Sequence, residues 1–405
     1  MKVKEKIKKY SQEQLLKFED ELKKEQKEKL YNQINELDFS YLDELKNNQT
    51  IDKGKITPIK AMTINEIEKN KSKYEEIGIK ALQNYEVGTL LLAGGMGTRL
   101  GSDNPKGMYN IGKTKDVFIF QRLFENLLDV VKKCGKYIPF FIMTSEKNHK
   151  VTTEFLEGKN YFGYDKNFVK FFVQEMAPCV DLKGKILLES KDRIATSPNG
   201  NGGWFNSLLN NIEAKEMLEK YNIKWLNVFS VDNVLQKIAD PIFVGATING
   251  NFEVSSKVIR KVDPFEKVGV MCNKNGKPSI VEYIDLTNEM AVETDENGER
   301  VYNFGVVLNY LFNVDTLYKI KDNKLPVHIV TKKVEYINDD GVLVKPSEPN
   351  AHKFEMLCVD MIEYCNSCLP FEVERKKEFA PVKNKTGVDS VESAQNLLEE
   401  NGYKL

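Results

Sequence analysis

The chain has 405 residues, 29% of them charged and 41% hydrophobic, with a formal net charge of −1. That length holds roughly two or three domains. The cancelled charge excludes a chain-wide pull toward nucleic acid or an anionic membrane, although local basic loops can still act.

In chain order, residues 1–85 read as a charge-rich helical segment. Leu15, Phe18 and Leu22 recur at spacings of three and four among Lys/Glu pairs. The heptad does not persist, which favours a helical layer against the main domain over a coiled coil. The first residues, MKVKEKIKKYSQEQLLK, lack the apolar centre of a signal peptide, and no run of about 18 apolar residues occurs. The expectation is a soluble, cytoplasmic protein with no membrane partner.

From about residue 86 short apolar runs appear: TLLLA (89–93), IPFFIM (138–143), FVKFF (168–172), KILLE (185–189) and WLNVFSV (225–231). Helical periodicity separates several of them, as in FIFQRLFENLLDVVKKC (118–134). Buried strands alternating with helices predict an α/β fold with a mostly parallel sheet. Two-residue alternation in FEVSSKVIRKV (252–262), VGVMC (268–272) and SIVEYID (279–285) adds an antiparallel or mixed extension. The division expected is 1–85 helical, 86–344 catalytic and 345–405 a small C-terminal domain. The six cysteines have no framework spacing, and Cys365-x-x-Cys368 has no second pair to complete a zinc site, so reduced thiols are expected.

The stretch LLAGGMGTRLGSDNPKGMYNIG (91–112) follows the first of these strands. Gly94, Gly95, Gly97 and Gly101 allow close backbone approach to a ligand, and Arg99 and Lys106 suit a phosphate whose charge grows during reaction. The spacing is neither a Walker A loop nor the dinucleotide fingerprint, which disfavours a nicotinamide-dependent oxidoreductase. A non-catalytic nucleotide-binding regulator has little reason to keep these cations.

LLAGGMGTRLG followed by PKGMYNIG resembles the signature loop of the uridylyltransferases that make UDP-sugars, within them most nearly the eukaryotic-type UDP-N-acetylhexosamine pyrophosphorylases. The resemblance continues in order through MTSE (143–146), SPNGNGG (197–203), VDN (231–233), ADPIFVG (239–245), VGV (268–270), VEY (281–283) and FAPVKN (379–384). It implies a Rossmann-like nucleotidyltransferase domain between an N-terminal helical segment and a small C-terminal domain. It further implies that UTP and a sugar 1-phosphate, most nearly N-acetylglucosamine 1-phosphate, give a UDP-sugar and pyrophosphate. Glucose or galactose 1-phosphate is the alternative sugar.

By resemblance, Arg99, Lys106 and Lys383 are catalytic, with Lys383 swinging in from the C-terminal domain. Leu92, Gly94, Gly95, Gly97, Gln174, Gly200, Asn201 and Asp232 hold the nucleotide, Gln174 reading the uracil edge. Gly269, Glu282 and Asn201 hold the sugar, and Asp232 binds Mg²⁺. Read locally, Asp232 is a carboxylate at a strand end that either caps the next helix or binds an ion, and NGNGG (199–203) is either a turn or a ligand loop. The reaction needs no histidine base. His149, His328 and His352 accordingly read as structural or surface residues. Three positions depart from the acetylhexosamine pattern: Val306 replaces an asparagine, and Leu357 and Val359 replace two aromatic residues of the acetamide pocket. Asn309, three residues on, points to the opposite face on a regular strand.

Overall fold

Residues 3–45 and 54–405 are described by the structure, a computed structural model. Two compact units emerge, each drawn from separate segments. One takes Met1–Asp52, Gln174–Gly203 and Lys324–Cys358; the other takes Lys53–Val173, Trp204–Asn323 and Val359–Leu405. The expected division at 85 and 344 follows chain order, whereas these units follow packing.

The larger unit is built on a ten-stranded sheet. Its strands are β1 (Ile56–Pro58), β2 (Val87–Leu92), β3 (Phe140–Thr144), β4 (Val169–Val173) and β5 (Trp225–Ser230), then β6 (Val254–Arg260), β7 (Val270–Lys274), β8 (Lys277–Val281), β9 (Phe304–Asn313) and β10 (Cys368–Glu372). The order is β1-β7-β9-β5-β2-β3-β4, with β8 on β7, and β6 joining β9 to β10. Strands β5, β2, β3 and β4 are mutually parallel. Strands β2, β3 and β5 coincide with apolar runs, as strands covered on both faces must, while the edge strand β4 is only partly buried. Strand β9 runs antiparallel to β5 and β6, which makes the sheet mixed.

Four helices of this unit matter for the site: α1 (Ile64–Gln83), α2 (Ile119–Cys134), α3 (Pro241–Asn249) and α4 (Val391–Glu400). In α2 the residues Phe120, Leu123, Phe124 and Leu127 fall on one stripe and are fully buried in the main core. Helices α1 and α3 cross at a pair of glycines. A Cβ on Gly78 would lie 1.9 Å from the Pro241 carbonyl oxygen, and one on Gly245 would lie 1.8 Å from that of Tyr74. In an isolated helix Gly→Ala gains about 1 kcal/mol. Here the clash is with backbone that cannot rotate away, so overpacking wins. Gly78→Ala is expected to lower stability by about 2–3 kcal/mol in a denaturant titration. An unchanged midpoint would mean that the two helices separate freely.

In the smaller unit Leu15, Phe18 and Leu22 are buried against Ala177, Ile186, Leu188 and Phe354. The helical layer is interrupted: α-helices Val3–Lys9 and Lys24–Glu36 are joined by two short 3-10 turns, Glu13–Leu16 and Glu19–Glu21. The run KILLE yields a strand only at Leu188–Ser190, hairpinned with Arg193–Ile194, because turns at Gly184 and after Ser190 leave no longer straight segment. The last part of the chain is shared. Residues 345–358 belong to the smaller unit, while β10 pairs in parallel with β6, and Ala394 and Leu398 of α4 enter the main core. All six cysteines are free and buried. Among the described residues, no helix is long and apolar enough to cross a membrane.

Candidate active site

Strands β2 and β5 are parallel neighbours, and Leu92 is paired with Ser230. The loops that follow them therefore leave the same edge of the sheet side by side, the edge where open α/β sheets bind ligands. The first is the glycine loop. Its neck is closed by Gly97 N–H donating to the Asn104 carbonyl (2.8 Å) and Lys106 N–H donating to that of Gly95 (3.2 Å). This closure returns Lys106 to the point where the loop left the strand. Arg99 lies exposed in the short turn Thr98–Leu100, which is anchored by buried Leu100.

The second loop carries Asp232. The Ser230 hydroxyl donates to Asp232 Oδ1 at 2.5 Å, and Lys106 Nζ lies 3.8 Å from Oδ2. Asp232 does not cap the next helix. Asp240 does, accepting from Ile242 N–H at 3.1 Å. Beneath the loop, Gln236 donates to the Ser230 and Asn233 carbonyls. Its own oxygen accepts from Asn309, whose Oδ1 accepts from Asn227. Asn309 is thus fully buried inside the scaffold and engaged with other protein groups.

Lys383 reaches this cluster from the far end of the sequence. Its loop is stitched to the Asp232 loop: Val382 N–H donates to the Asp232 carbonyl (2.9 Å) and Val234 N–H to that of Ala380 (3.2 Å). Asn233 closes the seam, donating to the Glu378 carbonyl and accepting from Ala380 N–H. The resemblance implies a lysine that swings in on a separate domain. In the structure its loop belongs to the same compact unit as Lys106 and Asp232. The ammonium rests on Asp389 Oδ2 at 3.0 Å.

Burial pushes the Lys106 ammonium below the ordinary lysine range. Asp232 opposes that shift, and the positive charges of Arg99 and Lys383 add to it. The four side chains therefore share one electrostatic neighbourhood with more cations than carboxylates, which is a place for a polyphosphate. A pH dependence follows. As pH rises, Lys106 loses its proton below the usual 10.5, so kcat/KM should fall on the alkaline side before free lysine titrates. Lys106→Arg keeps its charge throughout and should move that alkaline limb upward, at a reduced rate. An unmoved limb would assign it to another group.

The sugar candidates of the larger unit also converge. A Cβ on Gly269 would lie 3.5 Å from both Glu282 Oε1 and Val306 Cγ2. Val306 N–H donates to the Gly269 carbonyl at 2.9 Å. The remaining candidates, Gln174, Gly200 and Asn201, lie in the smaller unit. Gly200 needs its glycine, with φ of +86° and a Cβ position 2.2 Å from the Met356 carbonyl oxygen. Asn201 Oδ1 accepts from Cys358 N–H at 2.8 Å, so the loop is strapped to the segment carrying Leu357. Gln174 is buried, and its side-chain amide has no hydrogen-bond partner among the described residues.

The sequence profile of the family described as UTP–glucose-1-phosphate uridylyltransferase matches residues 5–403. The chain belongs to this family. It is 37% identical to a probable UDP-N-acetylglucosamine pyrophosphorylase of Dictyostelium discoideum, over 84% of this chain and 73% of that one. It is 38% identical to the UDP-N-acetylglucosamine pyrophosphorylase of Saccharomyces cerevisiae, over 79% and 69%. Among solved structures it resembles the uridine diphosphate N-acetylglucosamine pyrophosphorylase of Trypanosoma brucei, determined with an inhibitor, at a TM-score of 0.83. That match has 26% identity and covers 97% of this chain and 83% of the other.

For a uridylyltransferase of this family the donor set can be tested against magnesium. Among the described residues no group of three or more His, Cys, Asp or Glu side chains converges. Asp232 stands at a strand end with Oδ2 3.8 Å from Lys106 Nζ. That fits Mg²⁺, which keeps several waters and takes one or two carboxylates along with substrate phosphates. Sequence reasoning passed over Gln236, Asn233 and Lys257, which hold the loops in place. The available signal was a lysine inside an otherwise apolar and small-residue strand, VSSKVI.

Proposed function

We propose that the protein joins UTP to a sugar 1-phosphate, releasing pyrophosphate, and that N-acetylglucosamine 1-phosphate is the sugar substrate. The supporting observation is Lys106 beside Asp232 at the carboxyl edge of β2 and β5, with Arg99 and Lys383 near enough for their charges to act on Lys106. A phosphate oxygen of the sugar 1-phosphate attacks the α-phosphorus of UTP and pyrophosphate leaves. Both reactants are anions, so the protein's task is to screen charge and align them in line. Lys106 and Arg99 hold charge that grows on the phosphates, and Lys383, released from Asp389, neutralises the leaving group. Asp232 is the residue that would hold Mg²⁺, which when bound adds positive charge at the phosphate oxygens. The unpartnered amide of Gln174 suits a uracil edge, Leu92, Gly94, Gly95, Gly97, Gly200 and Asn201 complete the nucleotide contacts, and Gly269, Glu282 and Asn201 take the sugar.

Val306 favours a second reading, a sugar with a 2-hydroxyl such as glucose or galactose 1-phosphate. A valine cannot supply an amide's hydrogen bonds, and leaving a polar group of a buried ligand unpaired costs about 1–3 kcal/mol. Leu357 and Val359 keep apolar contact but lose the flat wall of an aromatic ring. The expected outcome is a preference for the acetylated sugar of only about 10–100-fold in kcat/KM, measured by pyrophosphate release across a panel of sugar 1-phosphates. A preference above roughly 10⁴ would show that another residue reads the acetamide.

A further inference from the structure

Lys257 is the most deeply buried lysine side chain that the site does not explain, 1% exposed in β6. The register of β6 against β9 shifts between Ser256 and Val258. The two extra residues lie on β9, between Val306 and Tyr310, while Lys257 keeps a regular pairing with Phe371 of β10. Its ammonium donates to Glu378 Oε2 (2.6 Å), to the Lys237 carbonyl (3.1 Å) and to Asp240 Oδ2 (3.3 Å). Lys237 Nζ lies 3.4 Å from Glu378 Oε1 on a side chain that is 57% exposed, so Lys257 is the interior cation facing two buried carboxylates. Ion pairs this dry are costly to assemble, and hydrophobic replacements often stabilise a fold as well or better. The connection from Glu378 points to a role other than bulk stability. Its carbonyl accepts from Asn233 Nδ2, and the next residues, through Val382, are stitched to the Asp232 loop ahead of Lys383.

We infer that Lys257 is a positioning residue for the transfer reaction: by gripping Glu378 it fixes where the Lys383 segment meets the Asp232 loop, and so where the Lys383 ammonium stands. This rests on the proposed role of Lys383 at the phosphates. Gripping Asp240 as well ties the N-terminus of α3 to the same point.

The test is steady-state kinetics of Lys257→Met and Glu378→Ala, each made in the wild-type and in the Lys383→Ala background. Glu378→Ala cuts the same link while leaving Lys257 its Asp240 partner, so it carries the test if Lys257→Met does not fold. In the otherwise wild-type protein each substitution should lower kcat about 10-fold with KM for UTP within about threefold. In the Lys383→Ala background each should change kcat by less than about twofold, because the residue it positions is gone. An equal loss in both backgrounds would overturn the inference, as would a wild-type kcat in folded Glu378→Ala. Wild-type activity in Lys383→Ala alone would instead remove Lys383 from the mechanism.

Discussion

Replacing Lys106 by alanine should reduce kcat roughly 10²–10³-fold while leaving thermal stability within about 1 kcal/mol of wild type. The rate loss is the size found when one preorganised charge at a transition state is deleted. The small effect on stability follows from the electrostatics. Lys106 has only 17% of its side chain exposed and stands among like charges that disfavour its ionised form. Removing it relieves desolvation and repulsion, which offsets the lost attraction to Asp232. Sites that hold such charges trade stability for activity. Arg99→Ala should lose about 10²-fold for the same reason, with less effect on the fold because Arg99 is exposed. Comparing kcat with a melting curve separates the two terms. Near-wild-type turnover in folded Arg99→Ala or Lys106→Ala would remove that residue from the chemistry.

The second large effect is expected at Asp232. Asp232→Asn preserves the oxygen that accepts from Ser230 and the carbonyl that accepts from Val382 N–H, so the loop should hold its shape. Turnover should nonetheless fall by at least roughly 10³-fold, since an amide is a poor ligand for a hard divalent cation. A chelator should abolish activity in the wild-type enzyme, and added Mg²⁺ should restore it. The pair of experiments also separates two roles. Activity that survives chelation but not Asp232→Asn would mean that the carboxylate serves Lys106 alone, because Asp232 is the charge that supports its ionised form.

Much of the larger unit was legible in the sequence because its central strands are buried on both faces. Runs such as TLLLA and WLNVFSV have few other fates at that length, and α2 carries an unbroken apolar stripe. The glycine loop was legible as a phosphate site for a similar reason, since its cations follow a strand directly. Strand β10 was not legible. Its sequence, CLPFE, contains a proline that demotes a candidate strand, yet Pro370 needs only its carbonyl, which accepts from Met62 N–H. With β10 in the main sheet, the end of the chain could not form the separate small domain expected from its polar loops. The stitching of residues 378–382 to the Asp232 loop links positions almost 150 residues apart, which no local pattern reports. The alternation in FEVSSKVIRKV identified a strand but did not single out Lys257. Only the three-dimensional placement of Glu378 and Asp240 shows it to be interior.

The most direct measurement is pyrophosphate release from UTP by the purified protein, with and without N-acetylglucosamine 1-phosphate, in the presence of Mg²⁺. Release that depends on both substrates, yields UDP-N-acetylglucosamine in equal amount and collapses in Lys106→Ala is the predicted result. UTP binding without release against any sugar 1-phosphate, or release unchanged in Lys106→Ala, would contradict the account.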